Sequence, residues 1–511
     1  MTESTIKEVS ATRWADDVLE RKPLADFLTL SLAAQAKARL KSSGVTVALD
    51  ADWGTGKTFF VKHWAEDLRA QGYPVAFFDA WKNDIGDVAA VALMACIKQE
   101  LDRWIDRLPR EKRARHEALE ATRKAVTGLR KAIVPASKVI ATGLLKKVTG
   151  IAVDELLNAI DDDSDSAAES VTSATSKSFE AGLDELFKRT LDDHVKRGQS
   201  IIEFKNSIGA LISLLENSAN ATLPVFVFID EVDRCRPTYA IKLLEEVKHI
   251  FGIDKICFVV STNLDQLRES VRAVYGTGFN GHRYLKRFFD SQYTLPDPDY
   301  ESFAALLFSE ESIIKTRAIH SGLPNPQAGG EKRLTALIFS SFGLDLRSQK
   351  QVFAAANSVA AVIPKDKSIF LFWLLFLCAL RHNKPDIFYR LTKNKADRSS
   401  FIEICREALN RDSDIEYGRP PSRYDDNTQK STKLSEVAWS YYSWSFDQLD
   451  KLRVKEAEMN AYSYPASNLT PIVQELPNHY NPSDIPRPSI FGYLDLVRYA
   501  GLSFENNVVK N

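Results

Sequence analysis

The sequence predicts an α/β fold: a three-layer core around a parallel sheet, with a long helical insert, a helical lid and a C-terminal subdomain. Three observations predict it. The β-branched apolar run Val45–Leu49 passes through a glycine-containing turn directly into a helical pattern, Phe59–Trp64. Two later runs, Val225–Ile229 and Ile256–Val260, are apolar at nearly every position, as strands covered on both faces are. Elsewhere apolar residues recur at helical spacing, which places helices before, between and after these strands.

Residues 1–44 read as helical, with Leu24, Phe27, Leu28, Leu30 and Leu32 as their apolar set. After the first strand comes Ala51-Asp52-Trp53-Gly54-Thr55-Gly56-Lys57-Thr58, followed by Phe59. Strand, glycine turn and helix in that order form a phosphate-binding loop. Its backbone N–H groups make an anion nest, and the helix N-terminus adds its positive dipole end. Lys57 supplies a cation for the β- and γ-phosphates, and the Thr58 hydroxyl is a ligand for Mg²⁺. The usual pattern begins with glycine where this chain has Ala51. Alanine fits there when φ is negative, because only positive φ strictly favours glycine.

A second strand, Pro74–Trp81, completes a βαβ unit over residues 45–100. Residues 101–218 read as a helical insert broken by the acidic, serine-rich stretch 161–169, which has the composition of mobile chain. Ten lysines and arginines between Arg103 and Lys131 offer a surface for nucleic acid or an acidic partner. Glu111, Glu117 and Glu120 are interleaved with them, so a solvated helix with i,i+4 pairs is the plainer reading.

The run Val225–Ile229 delivers Asp230 and Glu231 to the end of a buried strand. Asp230 is placed to hold a water of Mg²⁺ opposite Thr58, and Glu231 to orient or deprotonate the attacking water. The next strand ends at Asn263, which has two readings: a bond to the γ-phosphate or attacking water, or a cap on the helix that follows. Further on, Tyr284-Leu285-Lys286-Arg287 closes a helix just ahead of a short strand, Ser291–Pro296. A basic residue here is where ring-forming ATPases project an arginine finger into a neighbour, worth roughly 10³ to 10⁵ in turnover. Arg287 and Lys286 compete for that place, and solvated cations at a helix C-terminus are the alternative.

Beyond Pro296 the pattern is helical to about residue 400, and the last hundred residues are polar and rich in Tyr, Trp and Pro. The expected division is 1–44, 45–100, 101–218, 219–298, 299–405 and 406–511. The aromatic string Trp439–Trp444 suits a small packed subdomain, or an anchor for a partner.

The bulk numbers exclude several classes. A net charge of −1 over 511 residues gives no overall field toward nucleic acid or anionic lipid. Five cysteines without metal-ligand spacing fit a reducing compartment. The N-terminus is polar and lacks the apolar core of a signal peptide. The longest apolar run, Ile369–Leu380, is shorter than the ~20 residues a bilayer span needs and reads as a buried helix. The expectation is a cytoplasmic protein with no membrane span.

Taken together, Asp52–Thr58, Phe78-Asp79-Ala80-Trp81, Ile229–Pro237 and Tyr284–Arg287 before Leu295-Pro296 resemble the KAP family of P-loop NTPases over roughly residues 15–360. The tryptophan inside the loop and the Asp-Glu-x-Asp-Arg-Cys string carry most of the likeness. The resemblance implies an additional-strand P-loop core related to AAA+ and STAND ATPases, binding ATP and Mg²⁺ and assembling as a homo-oligomer. It implies that residues 17–28 cover the nucleotide base and that Arg347, in Asp345-Leu346-Arg347, is a lid residue reaching the γ-phosphate. Many family members carry transmembrane helices between the two nucleotide motifs. Here Lys138, Lys146 and Lys147 interrupt the corresponding stretch, and one lysine at mid-bilayer costs ~3 kcal/mol. In bacteria the family is associated with phage exclusion, which suggests a switch or motor acting with a defence effector. An ATP-sensing scaffold with little turnover and a DNA-associated ATPase are the alternatives.

Overall fold

The computed structural model describes residues 14–38, 44–84, 89–105, 202, 204–216, 221–248, 252–309, 312–317, 319–320, 330–393, 395–417, 430–447, 452, 455–456, 464–474 and 489–500. The acidic stretch 161–169, the three lysines of the insert and the basic residues 107–131 lie outside them. The chain forms two compact units, Met1–Pro296 and Asp297–Asn511.

In the first unit, helix α1 (Lys22–Ala38) precedes β1 (Val45–Asp50), α2 (Lys57–Ala70), β2 (Val75–Asp79) and α3 (Ala89–Ile105). A helix α4 spans 204–216. Then come β3 (Val225–Asp230), α5 (Pro237–Lys248), β4 (Ile256–Thr262), α6 (Leu264–Tyr275), α7 (Gly281–Leu285) and β5 (Ser291–Thr294). The five strands form one sheet in the order β2-β3-β4-β1-β5, and every pairing is parallel. Strand β4 therefore stands between β1, which carries the glycine loop, and β3, which carries Asp230.

Alternation along the strands explains why they read as unbroken apolar runs. Val225, Val227 and Ile229 face one core with Ile256, Phe258 and Val260. Phe226 and Phe228 face the other, with Val47, Leu49, Cys257 and Val259. Period two puts successive side chains on opposite faces, and helices cover both. The first core is closed by α3, α4, α5 and α6, the second by α1 and α2. Phe204, Ile208, Leu211, Ile212 and Leu215 of α4 are fully buried in the first core. The ends of the expected insert, 101–105 and 204–216, thus belong to the helical layer over the sheet.

Helix α1 buries Ala25, Leu28, Thr29 and Leu32, at helical spacing. Phe27 and Leu30, expected in the same apolar set, are 57% and 73% exposed, because the 3.6-residue repeat turns them away from that face. The Trp64 indole of α2 donates to the Thr29 hydroxyl at 2.8 Å, which in turn donates to the Ala25 carbonyl, also at 2.8 Å. Trp64 packs edge-on against Phe228 with ring centroids 5.0 Å apart, joining α1, α2 and the sheet.

The second unit is mainly helical: α8 (Tyr300–Ser309), β6 (Ile319–His320), α9 (Gly330–Phe342), α10 (Leu346–Val362), β7 (Ile369–Phe370), α11 (Leu371–Asn383), α12 (Pro385–Lys393), α13 (Arg398–Ala408), β8 (Asp414–Tyr417), β9 (Lys430–Lys433), α14 (Leu434–Trp444), α15 (Tyr464–Gln474) and α16 (Ser489–Tyr499). Helix α11 is its centre. All ten residues Leu371–Leu380 are buried, and α9, α10, α12, α14 and α16 pack around them. A helix apolar on every side needs such a surround. Ile369 and Phe370, expected at the start of this helix, instead pair in parallel with Ile319 and His320. Helix α13 runs through the boundary expected at 405, and the last hundred residues share one compact unit with the helices before them. Among the described residues no helix is long and apolar enough to cross a membrane.

Candidate nucleotide site

The loop after β1 is pinned at its base. The Ala51 N–H donates to the Thr262 carbonyl at 3.2 Å, and the Asp50 carboxylate accepts from the Leu264 N–H at 2.9 Å and the Gln292 amide at 3.1 Å. Within the loop, Gly54 and Gly56 take positive φ of 74° and 87°, and Ala51 does not. The glycines thus stand where left-handed backbone is required, and the alanine where it is not. The Thr55 hydroxyl closes the turn onto the Asp52 carbonyl at 2.8 Å.

Helix α2 starts immediately behind Gly56 with no side-chain cap and no acidic residue in its first turn. Its leading N–H groups are left without an internal acceptor, so this end favours an anion. Lys57 is 7% exposed; its ammonium donates to the Ala51 carbonyl at 3.1 Å and lies 3.8 Å from an Asp233 oxygen. Burial pushes the Lys57 pKa down, against the pull of Asp233, Asp230, Glu231 and Asp50. Phe59 points along the helix and stacks on His63, with ring centroids 3.8 Å apart.

Three carboxylates face this cation from the β3 end. Asp230 is 1% exposed, and neither of its oxygens, nor the neighbouring buried Ser261 hydroxyl, meets a partner in good hydrogen-bond geometry. Burial raises its pKa, and proximity to Ser261, Thr58 and Lys57 offsets only part of that. Glu231 takes a left-handed φ of 63°. Its Oε1 accepts from the Thr58 hydroxyl at 2.9 Å, and its Oε2 pairs with Arg234 Nε at 2.6 Å. Burial and the Asp230 charge raise the Glu231 pKa; Arg234 and Thr58 oppose them. Asp233 accepts from the Thr262 hydroxyl at 3.1 Å and from the Trp53 indole N–H.

The site therefore concentrates negative charge at the β3 end, around a buried carboxylate that makes no well-formed hydrogen bond. A hard divalent cation relieves both, and magnesium keeps several waters and takes few protein ligands. Thr58 and Asp230 fit the metal side, Lys57 and the loop N–H groups the phosphate side.

Asn263 caps α6, accepting from the Gln266 N–H at 3.0 Å, and its amide nitrogen donates to Asp52 at 3.0 Å. Both ends of the side chain are engaged, one of them by the loop itself. Lys286 and Arg287 are exposed just after α7, and among the described residues no ion pair engages Arg287. Arg347 is in the second unit, exposed in the first turn of α10 behind its Asp345 cap. In the segment expected over the base, Asp17 caps the start of α1 by accepting from the Arg21 and Lys22 N–H groups at 2.6 and 2.9 Å. Sequence reasoning assigned no role to Asp233 or Arg234. Both stand in the Asp-Glu-x-Asp-Arg string, two and three residues past Glu231, and that spacing was the available signal.

A parallel sheet with one strand inserted between the loop-bearing strand and the carboxylate-bearing strand, a glycine nest at a helix N-terminus and a buried lysine define a P-loop NTPase. Residues 24–356 match the KAP family P-loop domain, and the chain belongs to that family. No curated protein matches the chain. Among solved structures the chain is similar to the Aeropyrum pernix ORC2 protein in its ADPNP-ADP complexes, at 12% identity and a TM-score of 0.32 over 94% of this chain and 93% of that one.

Proposed function

We propose that the chain is a magnesium-dependent ATP hydrolase. The observation that carries this reading is the Asp230 carboxylate, buried beside Thr58, near Lys57, and without a well-formed hydrogen bond. Lys57 and the N–H groups of the loop between Asp52 and Thr58 bind the phosphates, Thr58 and Asp230 hold the metal side, and Glu231 is the base that takes the proton of the attacking water. Magnesium, when bound, neutralises phosphate charge as it develops. Asn263 keeps the loop in register through Asp52, and Arg287 serves the site of a neighbouring copy in a homo-oligomer.

Steady-state phosphate release and fluorescent-nucleotide titration test the reading. Lys57→Ala loses nucleotide binding. Glu231→Gln keeps binding and loses roughly 10² to 10⁴ in turnover, the usual weight of a general base. Wild-type turnover in Glu231→Gln overturns the assigned base. One observation favours a second reading, an ATP-sensing scaffold: both Glu231 oxygens are already engaged. Phosphate release that stays flat over many binding equivalents supports the scaffold.

For biological role we infer a switch or motor in bacterial phage defence or signalling, acting with an effector protein. Its support is the family's association with phage exclusion. Plaque counts on cells expressing wild type or Lys57→Ala test it.

A further inference from the structure

We infer that Arg234 is a positioning residue that holds Glu231 out of service in the nucleotide-free site, so that their ion pair is a brake on hydrolysis. The inference rests on the hydrolase reading. A general base needs a lone pair directed at the proton it takes. Each Glu231 oxygen is already held, which fixes how the carboxylate is turned: Oε1 accepts from Thr58 at 2.9 Å and Oε2 is ion-paired with Arg234 at 2.6 Å.

The two contacts differ in what undoes them. Thr58 belongs to the metal side, so loading the site competes directly for its hydroxyl. Arg234 is outside that line and keeps its hold. It stands on the rim, its side chain 29% exposed against 11% for Glu231. Its guanidinium carbon lies 5.7 Å from the centre of the Trp81 ring, itself 55% exposed. A cation over an aromatic face is attracted to it. Trp81 thus packs on Arg234 while the pair with Glu231 is made, and release of Glu231 becomes a separate step after nucleotide loading. The charged groups facing Glu231 are Asp230 and Asp233 on one side and Arg234 and Lys57 on the other.

The test is steady-state kinetics on the full chain, comparing wild type, Arg234→Gln, Arg234→Lys and Trp81→Ala, with Lys57→Ala as the control. Arg234→Gln is expected to raise kcat roughly tenfold with KM unchanged. Arg234→Lys keeps a cation beside Glu231 and is expected to return kcat to the wild-type value; a merely structural arginine would move stability and leave kcat without that split from KM. Trp81→Ala, at an exposed position, serves if Arg234→Gln fails to fold, and its expected effect is a rise in kcat with binding intact. A fall in kcat in Arg234→Gln, or an unchanged kcat, overturns the brake. Turnover in Arg234→Gln where wild type has none supports it, and silence in both overturns it. Hydrolysis that survives Lys57→Ala instead overturns the site reading, separately from the brake.

Discussion

Trp53 and Asp233 are 180 positions apart in sequence, yet the indole N–H of the first donates to the carboxylate of the second. The same carboxylate accepts from Thr262 at 3.1 Å and lies 3.8 Å from the Lys57 ammonium. One aspartate thus ties the glycine loop to the ends of β3 and β4. Trp53→Phe keeps the ring and removes the donor. Hydrogen bonds to charged groups are worth about 1.5–3 kcal/mol, so nucleotide affinity is expected to fall by roughly tenfold or more. Equilibrium titration with a fluorescent nucleotide reads it, and unchanged affinity would show the loop to be shaped without this bond.

Asp230 makes stability depend on pH in a definite direction. Its pKa in the folded chain is raised by burial, so the group contributes stability below its unfolded pKa and loses it as pH rises through the folded value. At neutral pH its charge therefore strains the nucleotide-free protein. Asp230→Asn is expected to raise the melting midpoint at neutral pH by a few degrees, on the order of 1 kcal/mol, and to lose that advantage in acid, where the wild-type carboxyl is protonated. Calorimetric scans at several pH values check the sign; a variant less stable at neutral pH would contradict it.

Arg287 stands exposed, unheld by any ion pair among the described residues. A finger acting in a neighbour's site leaves nucleotide affinity alone and costs turnover only where copies meet. Arg287→Ala is expected to bind nucleotide normally and to lose on the order of 10³ in turnover at protein concentrations that support assembly. Mixing it with Glu231→Gln should restore part of the activity, since each copy then supplies what the other lacks. No restoration, with both proteins assembling, would remove the finger from Arg287.

The Trp64–Thr29 bond joins α1 to α2 inside a dry core. Thr29→Val preserves shape and strands the buried indole N–H. Leaving one buried donor unmade costs about 1–3 kcal/mol, and denaturant unfolding should report that loss with an unchanged m-value. A neutral result would show the indole finding another acceptor.

Much of the first unit was legible because its signals are short-range. Val225–Ile229 reads as a two-sided strand because both faces of the sheet are covered, and Gly54 and Gly56 fall where the backbone turns left-handed. Other features were not legible for equally physical reasons. Phe27 and Leu30 are as apolar as Leu28, and only the packing of α1 decides which of them face the core. Ile369 and Phe370 have helical neighbours, but a partner at Ile319–His320 draws them into a strand. Asn263 had two readings as a residue at a strand end; its bonds to Gln266 and Asp52 show the cap together with a hold on the loop. Asp233 carried no role because its partner Trp53 stands 180 positions away and becomes its neighbour only in the fold, whereas Arg234 stands three residues from its partner Glu231, a local signal left unread.

The chain by itself determined the strand runs, the loop's glycines, the lysine and threonine behind them, and the paired carboxylates at a strand end. Those are properties of consecutive residues, set by backbone sterics and by the periods of strand and helix. The tertiary structure alone decided that Asp233 receives Trp53 and that Thr58 reaches the Glu231 carboxylate from another element. Such pairings join residues from separate elements, and no local pattern specifies them; they arise when the apolar faces of the strands and helices are buried together.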